Sequence, residues 1–111
     1  MSLASEDLSD RIRDLLPPML PLSEKKMFGG RCFMLAGNML VCPMKDGSLL
    51  VRVGKEGYEE ALALPGASKM DMGERTMAGF VAVSGDVLED ENVLQGWIGR
   101  ARAFVDTLPP K

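Results

Sequence analysis

Two short strings, Ala36-Gly37-Asn38 and Asp46-Gly47, cut one largely apolar stretch into pieces of strand length, and they limit the possible folds more sharply than anything else in the chain. Strands joined by such tight turns pair antiparallel. The run from Lys26 to Leu35 reads as a first strand and Met39 to Pro43 as a second. Ser48 to Val53 reads as a third, with Leu49, Val51 and Val53 on one face. Three consecutive antiparallel strands form a meander. Gly29-Gly30, inside the first run, marks a bulge or a close backbone approach.

The flanking segments carry the helical period instead. Leu8, Ile12, Leu15, Leu16 and Met19 recur at spacings of three and four with charged residues between them, which predicts an amphipathic helix stopped by Pro17-Pro18. Glu6 and Asp7 in its first turn suit the positive end of the helix dipole. Tyr58, Ala61 and Leu62 give a short helix over 55–64, closed by Pro65-Gly66. Ser68 to Met72 and Met77 to Val83 are two further strands, joined through Gly73-Glu74-Arg75-Thr76. The last helix is the clearest: Val93, Leu94, Trp97, Ile98, Ala101, Phe104, Val105 and Leu108 trace one stripe, Asp90 is the expected N-cap and Pro109-Pro110 the stop. The expected fold is therefore α+β, a two-layer sandwich in the order α-β-β-β-α-β-β-α with a mainly antiparallel sheet. With no repeat or long linker, residues 1–111 are expected to form a single domain.

Composition narrows the chemistry. A chain of 111 residues can bury roughly two-thirds of the surface it exposes unfolded, so neither a disulfide nor a metal is needed to hold it together. The 13 cationic and 16 anionic residues give a net charge of −3, which argues against binding nucleic acid through a broad basic face. There is no histidine, and the two cysteines do not supply four soft ligands for zinc, so no cofactor and no catalytic constellation is expected. No apolar run is long enough to span a membrane, and the opening residues are too polar for a signal peptide. A cytoplasmic location is expected. Nine methionines against six aromatics make an unusual interior, in which the adaptable thioether fills irregular gaps.

Several strings bear a specific likeness. Lys26-Met27-Phe28-Gly29-Gly30, Leu35-Ala36-Gly37-Asn38-Met39, Leu49-Leu50-Val51-Arg52-Val53-Gly54, Arg75-Thr76-Met77-Ala78-Gly79-Phe80 and the terminal Trp97 helix resemble the TfoX N-terminal domain family. The likeness runs from about Ser5 to the C-terminus, with Thr76 and Ser84-Gly85 standing where similar sequences often carry proline. It implies a two-layer α+β domain. The family is named for bacterial regulators of competence for DNA uptake, in which this domain precedes a second one, and many relatives are stand-alone. The resemblance thus implies a small regulatory or interaction domain that binds a protein partner or associates with itself, as a homodimer for example. A DNA-linked transcriptional role, direct or through a transcription complex, is the alternative, and an enzyme is the third reading.

Four cations are the candidate site residues. Lys26, Arg52 and Arg75 come from different strands or strand edges at positions where similar sequences also place a cation, and together they would make a site for an acidic partner, nucleotide or nucleic acid if they met on one face. Arg31, with Lys25 and Lys26, would add charge to a backbone nest at Gly29-Gly30 that binds an anion. The simpler reading is ion pairing with Asp46, Asp71, Glu74 or the acidic helix starts, worth only about 0 to 1 kcal/mol per exposed pair. Cys32 and Cys42 lie on neighbouring strands: a three-residue turn at Gly37 sets them opposite each other, and a two-residue turn separates them. Either way, reduced buried thiols are expected rather than a disulfide or a redox sensor. Phe28, Phe33 and Phe80 fall on strands, but the basic aromatic consensus of an RNA-binding sheet is missing.

Overall fold

The computed structural model describes residues 3–17, 19–27, 30–44, 47–72 and 75–110. Helix α1 (Leu3–Leu15) leads into strands β1 (Leu22–Met27), β2 (Gly30–Leu35), β3 (Asn38–Pro43) and β4 (Leu49–Arg52), followed by α2 (Gly54–Leu62). Strands β5 (Ala67–Met72) and β6 (Arg75–Val83), then the short α3 (Gly85–Leu88) and the long α4 (Glu91–Val105), complete the order. All six strands belong to one antiparallel sheet ordered β1-β2-β3-β4-β6-β5. The α+β architecture read from the sequence is the one observed. No helix among the described residues is long and apolar enough to cross a membrane.

Three details differ from the sequence reading, each for a local reason. The first predicted strand is two: β1 ends at Met27, β2 begins at Gly30, and these two residues pair. The bulge expected at Gly29 falls on a position outside the described residues. β1 went unrecognised because its Ser-Glu-Lys-Lys stretch is the polar composition of an edge strand. Second, Met19 leaves the helical stripe and is 87% exposed, because α1 ends at Leu15 before Pro17 and the period cannot continue. Third, α3 is an added turn of helix, capped by the Ser84 hydroxyl, which accepts a hydrogen bond from the Asp86 amide at 3.3 Å.

The helices share one face of the sheet. Leu8 and Ile12 from α1, Leu16 just after it, Leu94, Trp97, Ile98, Ala101 and Val105 from α4, and Ala61 from α2 bury against Phe33, Leu35, Leu49, Val51, Val81 and Val83. Asp90 caps α4 as expected, its carboxylate accepting from the Asn92 amide at 2.9 Å. The Arg11 guanidinium donates to the Leu88 carbonyl at 2.7 Å, tying α1 to the end of α3 where an unpaired carbonyl attracts a cation. Asn38, 3% exposed, donates its side-chain amide to the Pro109 carbonyl at 2.9 Å and so clasps the segment after α4 onto the start of β3.

Candidate functional site

The β2–β3 hairpin sets the geometry of the second sheet face. Its turn is two residues long, Ala36 and Gly37, with φ of 51° and 85°, both positive as a type I′ turn requires. Leu35 then pairs with Asn38 and Met34 with Met39, but the next pair is Phe33 with Val41, so Leu40 is an extra residue in β3. At such a bulge two consecutive residues face one partner. Leu40 and Val41 accordingly both enter the helix-covered core, while Met39 and Cys42 both lie on the other side. The shifted register carries Cys42 across from Cys32. Turn length alone would have separated the cysteines; the bulge restores what a three-residue turn would have done.

Neither cysteine is in a disulfide, and both are fully buried. A hydrogen bond between them favours the thiolate at Cys32 and holds the Cys42 thiol up, with burial opposing charge on both. The Pro43 carbonyl, 3.7 Å from the Cys42 sulfur, is a second acceptor for the same S–H.

The four candidate cations lie apart. Lys26 and Arg31 are a cross-strand pair on β1 and β2, and Lys26 is exposed. Arg31 reaches Glu24 at 3.7 Å. Glu24 is held mainly by Arg13, which donates Nε to Oε2 at 2.9 Å and Nη2 to Oε1 at 2.6 Å, so the carboxyl stays below its usual range. Arg52 stands on β4, with Leu50 on the face turned from the helices, and its guanidinium lies 5.6 Å from the Phe80 ring centre and 5.5 Å from that of Phe104. Two rings thus hold this cation where an ion pair was expected, at about 0.5–2 kcal/mol according to exposure. Arg75 begins β6 opposite Met72. The structure therefore brings Lys26 and Arg31 together and leaves Arg52 on another strand and the other face. The proposed nest includes Gly29, and the expected ion-pair partners Asp46 and Glu74 also lie outside the described residues.

A feature the sequence did not announce lies on the helical side. Leu64, Pro65, Val87, Val93 and Trp97 line a cleft of about 460 Å³, with Asp86, Asp90, Asn92 and Arg100 around them. Gly96 lies on its lining with open space above it, since a Cβ there would meet nothing within 4 Å. Arg100 lies 6.0 Å from the Trp97 ring centre and 3.8 Å from Glu60. The cleft exists because α3 projects Val87 beside α4, and a four-residue helix leaves no periodic trace in the sequence. Its apolar lining and size suit an inserted side chain or small molecule.

The family described as TfoX N-terminal domain matches residues 14–105. The comparison with curated proteins returns no match.

Proposed function

Because the chain belongs to the TfoX N-terminal domain family, which is regulatory in type rather than a known enzyme family, we propose that it is a non-catalytic interaction domain that binds a protein partner through the cleft beside Trp97. The observation that carries this reading is an apolar recess bordered by carboxylates. Leu64, Pro65, Val87 and Val93 offer a dry seat, while Asp86 and Asp90 border it and Glu89 and Glu91 stand nearby in the chain, all four exposed. A segment that places an apolar side chain between basic residues complements both properties, and the net charge of −3 favours its approach. Aromatic-centred pockets with a polar border are where binding energy concentrates.

Gly96→Phe fills the cleft from an exposed helical position with open space around it. Partners captured from the producing cells by the wild-type chain and by Lys26→Glu should be lost, by about tenfold or more, from Gly96→Phe. Equal capture by all three overturns the assignment of the cleft. Light scattering reads the remaining case: a doubled mass abolished by Gly96→Phe replaces the separate partner with a second copy of the chain.

A further inference from the structure

On the sheet face turned from α1 and α4, Cys32, Met39, Cys42 and Leu50 form a buried cluster of their own, with Met34, Met44 and Phe80 packed against it. Met34 pairs with Met39 and, past the bulge at Leu40, Phe33 with Val41; that register continued by one residue sets Cys42 across from Cys32. Residues opposite each other on one face keep their Cβ atoms about 4.5–5.5 Å apart, and diagonal neighbours about 7–8 Å. Four sulfur-bearing side chains thus stand at the corners of one quadrilateral, two thiols at one end and two thioethers at the other.

The geometry points to a binding site for a single Cu(I) ion, with the sulfurs of Cys32 and Cys42 as its principal ligands and the thioether of Met34 or Met39 completing the shell. Thiolate and thioether are the soft donors that select Cu(I), whereas Zn(II) prefers a tetrahedral set of thiolate, imidazole and carboxylate. Among the described residues no group of three or more Cys, Asp or Glu gathers, so the cluster offers sulfur alone. Binding breaks two S–H bonds, forms two Cu–thiolate bonds and one Cu–thioether bond, and releases two protons to solvent; the copper stays in the Cu(I) state. The bis-thiolate complex carries one negative charge. Arg52 answers it, since it shares this face with Leu50, which pairs with Cys42, and is held against Phe80 of the same cluster. Met34 and Met44 are half-buried, so the thiols lie one side chain beneath solvent and the ion has a short way in past flexible thioethers.

The test is an anaerobic titration of the reduced chain against a chromophoric Cu(I) chelator. The wild-type chain should withdraw one equivalent of Cu(I) and gain thiolate-to-copper absorption in the ultraviolet. Cys32→Ala and Cys42→Ala should each weaken retention by about 100-fold or more, and Met34→Leu/Met39→Leu by about 10-fold. X-ray absorption of the loaded wild-type chain should show a first shell of sulfur only, a result that does not depend on how the variants fold. A shell containing nitrogen or oxygen, no copper withdrawn, equal retention of Zn(II), or unchanged affinity in the double methionine variant each overturns the all-sulfur site.

Discussion

The two faces of this sheet are both dry, but they are dry in different ways. The helix-side face is filled largely by branched and aromatic side chains from all four helices and most of the strands, among them Ile12, Leu94 and Val81, all at 0% exposure. The opposite face reaches the same burial at Cys32, Cys42 and Leu50 with sulfur and one aromatic ring, drawn from strands and Met44 alone among the described residues. Branched side chains have few rotamers and specify one packing, whereas thioethers adapt. The first face therefore defines the fold. The second is the one that can change its contents while the fold stays put.

Substitutions can break that distinction. The largest effect is expected on the helix side, where Leu40→Ala should cost about 2–5 kcal/mol in urea denaturation by leaving a cavity under the helices. Cys42→Ala removes a smaller group from the other face and should cost roughly 1–2 kcal/mol. Equal losses would mean that the two faces contribute to the core on the same terms. Next comes the junction where the faces meet. Gly54 has φ of +80°, and a Cβ there would stand 2.3 Å from Phe104 Cδ1, so Gly54→Ala must strain the backbone and push away a ring that holds Arg52. A loss of about 2–4 kcal/mol is expected. Phe104→Leu in the same background should recover part of it, and no recovery would remove the ring from the account.

Two smaller effects sharpen the picture. Asn38→Ala removes the clasp to Pro109 and should cost about 1–2 kcal/mol, with faster amide exchange confined to residues 106–108 and the β2–β3 turn. The smallest concerns pH. The folded carboxyl of Glu24 lies below its unfolded value of 4.5, so its stabilising pair with Arg13 is fully present above pH 4.5 and is lost as pH falls through the lower folded value. Glu24→Gln should flatten that acid limb of the stability profile and leave neutral pH almost unchanged, because the pair is partly exposed. An unaltered acid limb would assign the loss to other carboxylates.

Periodicity made the large elements legible. The α4 stripe from Val93 to Val105, its Asp90 cap and the hairpin signal at Gly37 all correspond to what formed. What stayed hidden has no periodic signature. The bulge at Leu40 lies in a strand whose residues are all buried, so alternation has no polar partner against which to show a slip. The same holds for α3, whose single turn builds the cleft. Of the four candidate cations, Arg52 was visible as a charge, but its seat between Phe80 and Phe104 depends on pairing between β4 and β6 and on the approach permitted by Gly54. Neither relation is local in the chain.

The Asn38 clasp also sets a clock on biosynthesis. The side-chain amide waiting at the start of β3 finds its acceptor only at Pro109, after every helix and strand between them has been made. A nascent chain can close the β2–β3 hairpin early, but it carries a polar group without its partner until that late carbonyl clears the ribosome. The bond joins one of the first turns to a residue beyond α4, so it can close only once the chain through α4 has been made.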